Sequence, residues 1–182
     1  MRKLPVVILL LALAAAVGGW VLQRALQPPS PSMLAPAPQA PAFAAGALRP
    51  DPLLTDLAGK PVRLDQWQGK WLLLNFWAPW CPPCREELPV LRALQQRAGS
   101  RGLQVIGIAE DTPAAVRAFL KTTPLDYPAL LPGDDHPGLA FGNTRQGLPY
   151  SVLIAPDGRM LKRHYGAFTA AELQAWLPPA LQ

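Results

Sequence analysis

Only two of the 182 residues are cysteine and two are histidine, and charged residues make up just 16% of the chain. Two cysteines cannot staple a small disulfide scaffold, and a soluble domain usually carries about 25% charge. Wholesale disorder is excluded by the 50% hydrophobic content. A basic surface for nucleic acid is missing too. The net charge is +5, but Arg2, Lys3, Arg24 and Arg49 all precede residue 51, and beyond them 13 Lys+Arg face 12 acidic residues. The remainder has no basic excess to draw phosphates. Long apolar runs are also scarce: a single one is long enough to span a bilayer, which excludes a polytopic membrane protein.

What is present falls into three zones. Arg2-Lys3 is followed by 19 uncharged residues from Leu4 to Leu22, enough for one crossing at ~1.5 Å per residue. Basic residues ahead of the run predict a cytoplasmic N-terminus and an exported remainder. A cleaved signal peptide has a shorter apolar region of about 7–15 residues. Ala42-Phe43-Ala44 resembles a cleavage site but lies too far along. Residues 1–27 therefore read as an uncleaved signal-anchor, and the lack of a nearby Cys rules out a lipoprotein anchor. Residues 28–52 hold eight Pro and seven Ala among 25. That composition buries little and favours extended backbone, so it reads as a spacer.

Residues 53–182 read as one α/β domain. Leu53 to Leu64 suggests two short strands about an Ala58-Gly59 turn. Trp71 to Trp77 is a continuous apolar run, suited to a strand buried on both faces. Pro82 to Ala98 predicts a helix, with Pro in its first turn and Gly99 past its end. Leu103–Ala109 is the next strand, followed by a helix from Pro113 to about Lys121, a short strand at Tyr127–Leu131 and a short helix at Pro137–Gly142. Tyr150–Ala155 and Arg159–Tyr165 predict a hairpin across Pro156-Asp157-Gly158. Thr169, with Glu172 three residues on, caps a last helix to Leu177. Strands alternating with helices, then a hairpin and a helix, make a layered α/β domain.

Both cysteines sit in Trp80-Cys81-Pro82-Pro83-Cys84, after the buried strand and at the start of a helix. CxxC is either half of a zinc site or a redox dithiol. Zinc needs four ligands; there is no second Cys pair, and His136 and His164 stand 28 residues apart. No metal and no separate cofactor are expected beyond a redox-active Cys81–Cys84 disulfide. A Cys at a helix N-terminus feels free N–H groups and the positive end of the macrodipole, which stabilise thiolate. Cys81 is thus the expected nucleophile, on an exposed turn. Cys84, inside the first turn, is the expected resolving thiol.

The run Asn75-Phe76-Trp77-Ala78-Pro79-Trp80-Cys81-Pro82-Pro83-Cys84-Arg85-Glu86-Glu87-Leu88-Pro89 resembles the membrane-anchored TlpA/ResA group of bacterial thioredoxin-like proteins, relatives of CcmG/DsbE. The resemblance implies a thioredoxin-like fold with an N-terminal β-hairpin and a central αβ insertion, preceded by one transmembrane helix. Gly147-Leu148-Pro149 matches the loop whose proline is cis and faces the active-site cysteine in that fold, so Leu148 and Pro149 are expected to pair with an extended substrate. Trp80, Pro82 and Pro83 belong to the same expected binding surface, whereas Trp77 is expected in the core.

Glu87 follows Cys84 by three and precedes Leu91 and Leu94 by four and seven, which puts it on the apolar helix face. Burial there would raise its pKa and suit it as proton acceptor for Cys84. Glu86 reads as an ordinary exposed helix acid. By resemblance Asn75 stands where thioredoxin has a buried Asp, leaving Glu87 as the remaining base.

The expected activity is thiol–disulfide reduction on the periplasmic side of the bacterial inner membrane. The family implies electrons from a DsbD- or CcdA-type membrane protein, with apocytochrome c or copper-site proteins of cytochrome oxidase as clients. Two alternatives stay open: a disulfide oxidase or isomerase, and a Cu(I) chaperone using the same cysteines. Oxidases of this fold often carry a His between the cysteines, absent here, and Met33 and Met160 lie far from the motif in sequence.

Overall fold

The computed structural model describes residues 17, 19, 20, 22–24, 43–133 and 137–182. The chain divides into two units, Met1–Gln39 and Ala40–Gln182. Of the first, the described residues are helical. The anchor read over residues 4–22 lies largely outside the described residues. Among the described residues no helix is long and apolar enough to cross a membrane.

In the second unit the elements are β1 (Leu54–Thr55), β2 (Pro61–Val62), β3 (Trp71–Trp77), α1 (Pro82–Ala98), β4 (Leu103–Ala109), α2 (Pro113–Thr122), β5 (Ala129–Pro132), α3 (Pro137–Ala140), β6 (Tyr150–Ile154), β7 (Met160–Tyr165) and α4 (Ala170–Trp176). They form one seven-stranded sheet of order β2-β1-β5-β4-β3-β6-β7. β3, β4 and β5 are mutually parallel neighbours, while β6 and β7 continue the sheet antiparallel beyond β3. The hairpin β1–β2 attaches antiparallel to β5. The βαβ–ββα core is thioredoxin-like, with α2 and β5 as an αβ insertion and β1–β2 as the added hairpin.

Side-chain alternation along β3 divides the core. Leu72, Leu74 and Phe76 pack with Ile106, Ile108, Val152 and Ile154 on one face. Leu73 packs with Leu91, Leu94, Val105 and Leu153 on the other, beneath α1. By the same period of two, Asn75 and Trp77 share the α1 side of β3. Trp77 is fully buried, and its indole crosses Gly107 of β4, where an added Cβ would stand 2.8 Å from Nε1.

The end of α1 at Ala98 is as read, though the turn after it closes differently, while the start of β5 and the start of the packed domain shift. β5 begins at Ala129 rather than Tyr127, because Pro128 has no N–H to give; its carbonyl accepts from Gly107 instead. Gly99 keeps right-handed backbone (φ −59°), and the left-handed residue that ends the turn is Gly102 at φ +87°. Packing also starts ahead of Leu53. Leu48 bridges Arg159, the Gly46 N–H donates to the Met160 carbonyl, and Phe43 packs against the core. The end of the Pro/Ala-rich stretch, which carries Phe43, Ala47 and Leu48, therefore lies alongside β7 rather than in a spacer.

Candidate functional site

β3 ends at Trp77 and α1 starts at Pro82, so the intervening turn projects from the C-terminal end of the parallel strands, where open α/β sheets place ligand sites. Cys81 is the N-cap of α1, with Pro82 and Pro83 as its first helical residues. Proline suits these positions because helix-start N–H groups have no intrahelical partner. Cys81 and Cys84 form a disulfide. The Cys84 N–H donates to Cys81 Sγ at 3.3 Å, and the Arg85 N–H donates to the Cys81 carbonyl. With two prolines in the first turn, Cys84 supplies the one N–H that donates to that sulfur among the described residues.

Cys81 corrects the expectation of an exposed thiol: it is only 4% exposed, against 0% for Cys84. Both pack in a cluster with Trp77, Ala78, Leu88 and Leu131, against which Leu148 also lies. The exposed positions fall instead to Pro82, Pro83 and Trp80, the last 64% exposed.

The Leu148–Pro149 peptide is cis. Its loop is held by Asn143, a buried residue whose Nδ2 donates to the Gly147 carbonyl at 3.0 Å and whose Oδ1 accepts from the Gly147 N–H at 3.2 Å. The Asn143 backbone is engaged as well, donating to Gly138 and accepting from Gln146. A groove lies between Trp80, which precedes Cys81, and Leu139, Gln146 and Leu148.

Glu87 is fully buried on the inner face of α1, one turn from Cys84. Asn75 Nδ2 donates to its Oε1 at 2.6 Å, and the Phe168 N–H donates to its Oε2 at 3.0 Å. Burial pushes its pKa from 4.5 up to about 7; the two hydrogen bonds oppose that shift but do not cancel it. Asn75 Nδ2 also donates to Ser151 Oγ at 3.1 Å, on the neighbouring strand β6. Glu86 is exposed.

Two other titratable groups lie around this core. Burial, reinforced by the Glu87 carboxylate, pushes the Tyr127 phenol far up, and its hydroxyl has no hydrogen-bond partner among the described residues. His164 on β7 stacks on the Phe168 ring at 3.9 Å, and burial lowers its pKa. His136 lies outside the described residues. Among the described residues no group of three His, Cys, Asp or Glu side chains is placed to hold a metal.

Sequence reasoning did not find Ser151, Asn143 or the Phe168 N–H. The first two are small polar residues without motif spacing, and the third is a backbone group that no residue type advertises.

The AhpC/TSA family profile matches residues 38–170. A thiol–disulfide oxidoreductase ResA of Bacillus cereus is 34% identical over 134 residues, covering 72% of this chain and 76% of its own. Among solved structures, a thiol:disulfide interchange protein of the thioredoxin family from Chlorobium tepidum superposes with a TM-score of 0.64 at 30% identity, over 78% of this chain and 100% of that one. A secreted Mycobacterium tuberculosis disulfide oxidoreductase homologous to E. coli DsbE gives 0.57 at 27% identity, over 68% and 91%. Fold, dithiol and relatives agree: the chain belongs to the AhpC/TSA family and is a thioredoxin-like thiol–disulfide oxidoreductase of the ResA/DsbE type.

Proposed function

We propose that this oxidoreductase works as a reductase on the periplasmic side of the inner membrane, tethered by residues 1–27, with Cys81 as nucleophile, Cys84 as resolving thiol and Glu87 as proton acceptor. The observation that carries the roles is the arrangement on α1: Cys81 caps the helix start while Cys84 faces inward, one turn from a buried carboxyl poised near neutrality. The reductive direction is supported by Pro82 and Pro83. They remove two helix-start N–H groups, of which the one at position 83 would be aimed at the Cys81 sulfur, and a less stabilised thiolate makes the dithiol a stronger reductant.

In the reduced enzyme the Cys81 thiolate attacks one sulfur of a client disulfide. A Cys81–client disulfide forms and the first client sulfur leaves as thiolate. Cys84 then gives its S–H proton to Glu87 and attacks Cys81 Sγ. The Cys81–Cys84 bond forms, the second client sulfur leaves, and two electrons have passed to the client. Glu87 returns its proton to a departing thiolate. Trp80, Pro82, Pro83, Leu148 and Pro149 form the docking surface, with the Leu148 backbone pairing with an extended client segment. The proposed client is apocytochrome c or a copper-site protein of cytochrome oxidase. A DsbD- or CcdA-type membrane protein restores the dithiol.

The test is capture. Cys84→Ser in the full chain should accumulate a Cys81–client disulfide whose client mass spectrometry identifies, in the membrane fraction. Recovery of no mixed disulfide, or net oxidation of client dithiols by the parent enzyme, would overturn the reading.

A further inference from the structure

Asn75 Nδ2 spends both hydrogens, one on Glu87 Oε1 at 2.6 Å and one on Ser151 Oγ at 3.1 Å, while its buried Oδ1 has no partner among the described residues. All three residues are fully buried, so water offers no easy remedy, and an unpartnered acceptor here is costly. The arrangement suits an ionised Glu87, which only accepts. It does not suit the protonated acid, whose O–H would meet an N–H donor.

Turning the amide by half a revolution about its last side-chain bond exchanges the two ends. Oδ1 then faces both Glu87 and Ser151, accepting from the acid O–H and from the serine hydroxyl. Asn75 again makes two hydrogen bonds and again leaves one end without a partner. Serine is the residue type that permits this, because its hydroxyl both donates and accepts. The spacing fits either state. A separation of 2.6 Å is short for N–H···O, where about 2.7–3.2 Å is usual, and lies within the O–H···O range of about 2.5–3.0 Å. The second contact to Glu87, from the Phe168 N–H to Oε2, is a fixed donor and leaves Oε1 as the oxygen that takes the proton.

We propose that Asn75 is a proton-gated amide: its NH2 faces the Glu87 carboxylate, its carbonyl faces the protonated acid, and Ser151 switches from acceptor to donor with it. Asn75 and Ser151 are then positioning residues that let one buried carboxyl be hydrogen-bonded in both states of its proton cycle. The inference deepens the proposed role of Glu87 and rests on it. Around the carboxyl, Cys84 lies one turn away on its own helix and is held in the disulfide of the oxidised chain, and Tyr127 is the phenol whose ionisation the carboxylate opposes. Beyond Tyr127, Arg92 pairs with Asp126 at the surface. On the β6–β7 side, His164 lies opposite Ser151.

The test uses the oxidised full chain, with 15N in asparagine side chains and 13C in glutamate carboxyls, followed by NMR across pH. Above the Glu87 midpoint one Asn75 amide proton should be strongly downfield, and the amide should contact the Ser151 β-protons. Below it, both the downfield resonance and that contact should be lost. The same amide contacts on both sides of the midpoint, or a Glu87 carboxyl that does not titrate, would overturn the switch. The catalytic reading is tested separately by the exchange rate of Glu87→Gln. If that rate equals the parent's while the amide still turns, the role of Glu87 as proton acceptor fails and the switch stands.

Discussion

The backbone N–H of Phe168 donates to Glu87 Oε2 at 3.0 Å, tying the active-site helix to the loop after β7 across 81 residues of chain. A buried carboxyl with no such donors would simply stay neutral. Here two donors, Phe168 and Asn75, draw the ionised form back within reach, and the result is a pKa of about 7. Both protonation states are therefore accessible where the chemistry runs.

That value has a thermodynamic consequence. The folded protein holds the Glu87 proton more tightly than the unfolded chain does, since the pKa rises from 4.5 to about 7. Below pH 4.5 both states bind the proton and its stabilising contribution is complete. As pH rises to 7 the unfolded chain loses its proton first, so the contribution is lost, and the full span is worth about 3 kcal/mol. Denaturation of the parent and Glu87→Gln at pH 4.5 and 7.5 should show the parent losing that much more than the variant. Parallel pH dependences would mean that Glu87 is not perturbed by folding.

Much of the fold was legible because its signals were long and punctuated. The apolar run Trp71–Trp77 and the Pro-led stretch Pro82–Ala98 are the observed bounds of β3 and α1. Thr169 and Glu172 form the reciprocal capping box that their spacing announced. The inward orientation of Glu87 was legible for the same reason, since helical spacing relates it to Leu91 and Leu94. The pairing of Asn75 with Ser151 and the clamp of Asn143 on Gly147 were not. These depend on strand register and on a loop path, and neither leaves a period in the sequence. The exposure of Cys81 was misjudged because prolines mark a turn without saying what packs over it.

The two thiols of the reduced enzyme should react unequally. Cys81 retains a small opening and a helix-start N–H on its sulfur, whereas Cys84 has no exposure and lies one helical turn from the buried Glu87. Thiolate character and access both favour Cys81. A small alkylating reagent followed by peptide mapping should label Cys81 first, and more slowly than a fully exposed thiol. Equal rates at the two sites would remove the division into nucleophile and resolving thiol.

Asn143 should matter for client binding without touching the dithiol. Its side chain makes two hydrogen bonds to Gly147, immediately before the cis Leu148–Pro149 peptide. Asn143→Ala leaves the Gly147 N–H and carbonyl without these partners, a loss on the order of 1–3 kcal/mol if they stay dry. Thermal denaturation should show that loss. Disulfide exchange with a peptide client should show a raised KM, while the reduction potential stays at the parent value. An unchanged KM would detach the Asn143 clamp from client docking.

The two prolines between the cysteines give the last prediction, which tests the reductive direction through a single N–H group. An N-cap side chain accepts from the N–H of the second or third helical residue. Here the third, Cys84, donates to Cys81 Sγ, and the second, Pro83, has no hydrogen to give. Pro83→Ala restores that donor at an exposed position where the lost ring touches little of the core. A second N–H on a sulfur at the positive end of the helix should stabilise the Cys81 thiolate by about 0.5–1 kcal/mol. Stabilising the thiolate stabilises the reduced enzyme, so the dithiol should become more oxidising, by about 10–20 mV for a two-electron couple. Pro82→Ala is the internal control, because an N–H on the first helical residue is poorly aimed at the N-cap side chain and should move the potential less. Equilibration of each variant with glutathione buffers measures both shifts. A Pro83→Ala potential equal to or below the parent's, or an equal shift in Pro82→Ala, would remove the missing N–H groups as support for the reductive direction.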